Sequence, residues 1–459
     1  MKRFFVYLAV CAFSALSLGS CGQKKAADED PLFWTWLSYK GASDFDSTLT
    51  VMNELGIDGV ILEAGADTAK YREAVPIARK HGVKLYAWFI SMNADHYVAE
   101  DSLLTKHPDW FSVNRLGQSL ADTTAYVDYY KFLCPALEEV REYLNQKVKA
   151  MCEIDGLDGI SLDYHRFVDV VLPTTLWSKY GVVQDREYPE WDYGYHPAMI
   201  EKFKAKYGYD PRDDEDPGMD EKWRQFRCDQ IAEVANLFAQ TIHSYGKKMA
   251  ASPFPTPKMS ARMVRQDWGD WDLDVVFPMV YTDFYTLDPS FAYDCTVENM
   301  RDKKPETKLY TGLYFSHDDE WEIFDNMDEA FRGGAQGISI FTVNNLRSPE
   351  IRARFREYTD SVKAVRAKNG GKMPAVTVPA AADPDEFHHP GIMKKVSEKI
   401  ASISGEPSAK LGDYKLVNEF NVTKSYEVLD SVSGKTFLVS FWHYGDVVSG
   451  WDVAEASTE

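Results

Sequence analysis

Between residues 33 and 369 the apolar and polar positions follow a repeating order. An amphipathic helical stretch stops at a glycine, a few residues intervene, and a short β-branched or aromatic run begins. Glu54-Leu55-Gly56 leads to Val60-Ile61-Leu62, and Lys80-His81-Gly82 to Lys84–Phe89. Ile154-Asp155-Gly156 leads to Ile160-Ser161-Leu162, Ser244-Tyr245-Gly246 to Met249–Ser252, and Gly333-Gly334-Ala335 to Gly337–Phe341. Glycine at a helix end supplies the left-handed cap from which the chain doubles back. With Phe33–Tyr39, Val275–Tyr281 and Lys308–Phe315 the candidates number eight strands. Alternating strands and helices imply a parallel sheet, and near-continuous apolar strands imply burial on both faces. No glycine-rich phosphate fingerprint follows the first strand, which disfavours an open doubly wound sheet. The expectation is an α/β fold, a (β/α)8 TIM barrel with a small C-terminal β-rich extension.

The pattern also divides the chain. Lys2-Arg3 precedes the apolar run Phe4–Leu18, and Leu18-Gly19-Ser20-Cys21 follows directly. This reads as a secretory signal too short to span a membrane. Its end resembles a bacterial lipobox, which implies acylation of Cys21 and anchoring in the cell envelope, on the periplasmic or the cell-surface face. The expected organisation is a signal segment at 1–21, a tether at 22–30, a barrel at 31–369, a linker at 370–385 and an α+β extension at 386–459. Within the extension a helix is expected over Met393–Ser402 and β structure over Tyr414–Val453, turning at Asp430–Lys435. Met92–Pro135 and Phe167–Asp220 are long insertions after the third and fourth strands, where long loops are commonly functional.

Composition narrows the partners. The 459 residues carry a formal net charge of -20, which argues against a nucleic-acid partner. Beyond Cys11 and Cys21, Cys134, Cys152, Cys228 and Cys295 are widely spaced and form no Cys/His ladder, so buried thiols are expected rather than zinc. The acidic run Asp210–Glu221 has Glu215 where a calcium loop needs glycine, and reads as a solvated loop. His388-His389 stand alone. No metal and no organic cofactor is implied.

The candidate chemistry sits at strand ends, where barrel enzymes carry their reactive groups. Gly159-Ile160-Ser161-Leu162-Asp163 runs from an apolar strand into a carboxylate and then Tyr164-His165-Arg166. Glu63 follows the second strand, Asp267 lies after the fifth, Asp283 follows the sixth, and Asp318-Asp319 the seventh. Glycoside hydrolysis needs two carboxyl groups flanking the scissile bond. Asp163 is the leading catalytic candidate, Asp283 its first partner, with Asp267 and Glu63 next. Trp36, Tyr86, Trp88, Tyr164, Phe254, Trp268, Tyr281 and Tyr314 offer flat faces suited to sugar rings, although for any single one filling a barrel layer is the commoner role. Arg166 and Asn344 are candidate polar contacts to substrate.

Several motifs occur in order on successive strands: Leu85-Tyr86-Ala87-Trp88-Phe89, His107-Pro108-Asp109-Trp110, Leu133-Cys134-Pro135, Asp158–Phe167, Ser252-Pro253-Phe254 and Val276–Tyr281. Together they resemble the family-10-type glycosyl-hydrolase-like proteins over nearly the whole barrel. That resemblance implies a TIM barrel and glycosidase-like chemistry on a carbohydrate substrate. The family pattern places two adjacent acids after the fourth strand and an Asn before the proline; here Tyr164 and Cys134 occupy those positions. The alternative is a non-catalytic glycan-binding surface lipoprotein on the same scaffold. Neither the sugar nor the oligomeric state can be read from the sequence.

Overall fold

The computed structural model describes residues 30–456 apart from 66, 100, 185–186, 286–289, 317–318, 381–389, 421–422 and 445–446. The signal segment with Cys21, the tether up to residue 29, Asp318 and His388-His389 lie outside the described residues.

Eight parallel strands close into a barrel in chain order: β1 (Phe33–Ser38), β2 (Gly59–Glu63), β3 (Lys84–Ile90), β4 (Gly159–Asp163), β5 (Lys248–Ala251), β6 (Val275–Val276), β7 (Lys308–Tyr314) and β8 (Gly337–Phe341). β8 returns to β1 with Phe33 beside Ile338. The expected sixth strand, Val275–Tyr281, shrinks to two residues. Pro278 has no N–H to donate to a ladder, and Met279 meets Gly312 of β7 only through an isolated bridge.

The interior of the barrel is filled by aromatic rings. Trp34, Trp36, Tyr86, Phe277 and Tyr310 form one buried cluster with Ile61, Ala250 and Val275. Rings this large fit because neighbouring strands supply glycines. A Cβ on Gly59 would lie 2.3 Å from the Trp34 ring, and one on Gly337 2.4 Å from that of Tyr310. Large residues facing absent side chains reach close packing without voids. The outer helices bury their apolar faces on the strands. The longest, Glu221–Ser244, presents Trp223, Ile231, Val234, Phe238 and Ile242, and begins where the Asp220 carboxylate accepts from the amides of Lys222 and Trp223. Asp210 likewise accepts from the backbone and side chain of Arg212. These two members of the acidic run therefore cap the starts of the helix Glu221–Ser244 and of the turn Pro211–Asp213.

After the helix Pro349–Lys368 the chain reaches a helix at Pro390–Ser404 and an antiparallel sheet of β9 (Leu411–Phe420), β10 (Thr423–Asp430), β11 (Thr436–Tyr444) and β12 (Val447–Glu455). The helix lays Ile392, Val396 and Ile400 on Val428, Phe437, Val439 and Phe441, a second core. Asp430 sets the tight turn by accepting from the amides of Val432 and Ser433. All four cysteines of the described residues are buried and unpaired.

Candidate active site

The alternation of β4 fixes which way its last residue points. Ser161 faces the barrel axis, where its hydroxyl meets that of Ser252 at 3.3 Å, so Asp163, two residues on, also faces inward. The neighbouring strand pairs Trp88 with Ser161 and Ile90 with Asp163. From there the Trp88 indole Nε1 donates to Asp163 Oδ2 at 2.8 Å. The other oxygen, Oδ1, accepts from the amide of Tyr164 at 2.6 Å. Tyr164 adopts a left-handed backbone with φ of 48°, rare for a residue with a Cβ and found where local structure enforces it. Burial raises the Asp163 carboxyl from 3.8 to about 6, against the opposing pull of its two N–H donors and the Arg166 charge.

The residues that follow are tied down differently. His165 is buried, with Nε2 donating to the Ile231 carbonyl at 3.0 Å and Nδ1 facing the Ser91 hydroxyl at 2.8 Å. Burial pushes it down to about 4, so it is a neutral structural group at physiological pH. Arg166 reaches Asp169 Oδ2 at 3.0 Å. That oxygen also accepts from the hydroxyls of Tyr126 at 2.5 Å and Tyr130 at 2.7 Å. The guanidinium packs against the rings of Phe254 and Tyr164 at 4.8 and 5.0 Å. Arg166 thus lines the cavity as the ion-pair partner of a buried carboxylate.

These groups enclose a cavity of about 650 Å³ at the C-terminal mouth of the barrel, within the size range of small-molecule sites. Among the sequence candidates it gathers Trp36, Glu63, Trp88, Asp163, Tyr164, Arg166, Phe254 and Tyr281. Glu63 ends β2 on the same inward face. Its Oε1 accepts from the Gly65 amide at 3.0 Å, which orients the carboxylate at the rim.

Other candidates fall elsewhere, each for a physical reason. Asp283 lies in the single turn Thr282–Tyr285. Tyr281, Phe284 and Tyr285 line the cavity but Asp283 does not; its charge acts instead on Glu322. Asp267 precedes the turn Trp268–Asp270 and is pushed up to about 6 by burial and by Asp270, outside the cavity lining. Tyr86 sits one layer below Trp88, against Trp34. Trp268 is fully buried behind the wall, its Nε1 donating to the Phe254 carbonyl at 3.2 Å. Tyr314 backs the lining rings of Tyr281, Phe284 and Phe341. Asn344 belongs to an adjoining cavity.

Asp95, Tyr126, Tyr129, Tyr130, Asp169 and Tyr180 also line the main cavity and were not singled out from the sequence. All come from the two long insertions, whose length was the available signal. Behind them a buried ionic network pins the second insertion to the barrel helices. Arg262 and Arg265 grip Glu187, and Arg227 grips Asp192. Although burial alone would raise it, the arginines hold the Glu187 carboxyl well below its ordinary value. Among the described residues no group of three or more His, Cys, Asp or Glu could hold a metal ion.

Comparison with solved structures returns distant matches. A GH30 endoxylanase from Clostridium papyrosolvens shares 12% identity at a TM-score of 0.37, over 90% of this chain and 81% of that one. A β-N-acetylhexosaminidase from Bacteroides fragilis shares 8% at 0.41, over 77% and 74%. A 3-keto-D-glucoside 4-epimerase from E. coli shares 8% at 0.37, over 72% and 100%. No curated protein matches the sequence. The family described as glycosyl hydrolase-like 10 matches residues 41–320. That stretch is more than half of the chain and holds every carboxylate of the cavity, and the protein belongs to this family.

Proposed function

We propose that the protein is a glycoside hydrolase acting on an oligo- or polysaccharide, with Asp163 as general acid and Glu63 as the opposing carboxyl group. The observation that carries this reading is the environment of Asp163: a buried carboxyl moved to about 6, facing an aromatic-walled cavity shared with Glu63. A carboxyl raised to about 6 holds its proton in mildly acidic solution and in a minor fraction of molecules at neutrality, and can hand it to a leaving glycosidic oxygen. Each Asp163 oxygen already accepts one N–H, so the acid is aimed before substrate arrives. Glu63, two strands away on the same rim, attacks the sugar or draws the proton from an attacking water. The partly exposed ring of Trp88, with Tyr281 in the same wall, offers a face for the sugar.

Tyr164, where the family pattern has a second acid, favours one competing reading, a glycan-binding barrel without turnover. A panel of oligosaccharides assayed for new reducing ends separates the two. Hydrolysis that falls by roughly 10²-fold or more in Asp163→Asn, as loss of a general acid does, supports the enzyme. Binding with no new ends in the wild type supports the binder. Asn presents one acceptor to two converging N–H groups, so a thermal melt must accompany the assay.

The sequence Leu18-Gly19-Ser20-Cys21 behind the apolar run Phe4–Leu18 supports a lipid tether at Cys21 and a place in the bacterial cell envelope. Among the described residues no helix is long and apolar enough to cross a membrane.

A further inference from the structure

A second cavity, of about 440 Å³, adjoins the first. Trp36, Ser38, Trp88 and Phe341 line both, so the two spaces are halves of one cleft divided by an aromatic partition. The first half is walled by the β3 and β4 insertions. The second is built by the opposite side of the rim: Lys40 after β1, Asp44 and Thr48 on the helix Ala42–Glu54, and Asn344 in the turn Val343–Asn345 after β8. Asp44 and Thr48 are four residues apart and therefore share a helix face.

The polar side chains of this second half are uncommitted. Among the described residues, those of Ser38, Lys40, Asp44, Thr48 and Asn344 make no hydrogen bond or ion pair. Together they present an ammonium and an amide as donors, a carboxylate and a carbonyl as acceptors, and two hydroxyls that are both. One positive and one negative charge leave no net preference for a charged ligand. A cavity of this size with an aromatic floor and mixed donors and acceptors suits an uncharged, hydroxyl-rich ring.

The partition fixes where such a ring lies relative to the chemistry. Trp88, shared by both halves, is the residue whose Nε1 holds Asp163 Oδ2. We propose that the Lys40, Asp44, Thr48 and Asn344 cavity is a second sugar subsite, so that a neutral oligosaccharide lies across the Trp36, Trp88 and Phe341 partition with the bond between two rings beside Asp163. The proposal rests on the glycan-directed reading of the barrel, and names the ligand as a chain of at least two neutral sugars rather than a single ring.

Calorimetric titration of the full chain carrying Asp163→Asn tests it, using xylo-, cello-, malto-, manno- and chito-oligosaccharides of two to six sugars. In at least one series, affinity rises by about tenfold, near 1.4 kcal/mol, between the shortest and a longer member. Lys40→Ala combined with Asn344→Ala, and separately Thr48→Trp, which fills the cavity, each remove that increment. These positions are on the surface, and a thermal melt confirms the fold. The absence of a length increment in every series, or its retention in either variant, overturns the proposal. An increment without new reducing ends from the wild-type chain removes the hydrolase reading and leaves the subsite standing. New reducing ends without an increment do the reverse.

Discussion

Trp88→Phe isolates one of the contacts that oppose the effect of burial on Asp163. The substitution keeps a ring in the partition and removes one N–H, the donor 2.8 Å from Asp163 Oδ2. That donor favours the ionised form, since a hydrogen bond to a charged group contributes about 1.5–3 kcal/mol. At 1.36 kcal/mol per pKa unit, its loss raises the carboxyl by roughly 1–2 units. Starting from about 6, Asp163 then titrates at ~7–8. The sign follows from which form is helped: Trp88 stabilises the carboxylate, so without it the proton is held to higher pH. An acid that must be protonated to work stays competent further into the alkaline range, and the basic limb of kcat/KM moves up by the same amount. The assay needs no substrate. A carbon-13 NMR titration of labelled aspartate carboxyls follows Asp163 directly, with Asp163→Asn identifying the resonance. A titration midpoint that stays within a few tenths of the wild-type value, or falls, refutes the role given to Trp88.

Arg166→Met leaves Asp169 buried with two tyrosine hydroxyls but no cation, and should cost about 3–5 kcal/mol in urea unfolding; a loss below about 1 kcal/mol would show that the pair orders nothing. Gly59→Ala drives a methyl into the Trp34 ring and should lower stability by about 1–3 kcal/mol through overpacking, so an unchanged melting temperature would contradict the packing of Trp34 on Gly59. Cys21→Ser should move the chain from the membrane fraction to soluble or unprocessed forms, and unchanged partitioning would remove the lipid tether.

The barrel was legible because its signals are local. Gly56, Gly82, Gly156, Gly246 and Gly334 lie at helix ends with positive φ, and each is followed by a strand where the apolar pattern expects one. Asp163 was legible for the same reason, as the last residue of an apolar run. Which other acid shares its cavity was not. Asp283 and Glu63 look alike in sequence, each an acid just past a strand. Pro278 ends β6 early, and the turn at Thr282–Tyr285 directs Tyr281, Phe284 and Tyr285 to the cavity in place of the acid. β2 instead runs unbroken to Glu63, so the pleat itself aims that side chain inward. Aromatic type was equally uninformative. Tyr86 and Trp88 alternate on one strand and face the same way, but only the upper one reaches open space. The tyrosines around Asp169 depend on contacts between segments some 40 residues apart, across two insertions with no periodic pattern.

The aromatic column inside the barrel also bears on how proteins of this kind diversify. Trp34, Tyr86 and Tyr310, seated against glycines of the adjacent strands, make with Phe277 a buried aromatic plinth between the strands. Space for a ligand is created above it, by segments that join the strands without being part of them. Exchange of the β3 and β4 insertions would therefore remodel one half of the cleft, and exchange of the β1 and β8 turns the other, while Asp163 stays on its unchanged footing. Such an architecture separates the inheritance of reactivity from that of selectivity, and it makes chimeras that trade one half-cleft at a time the natural units for engineering new preferences.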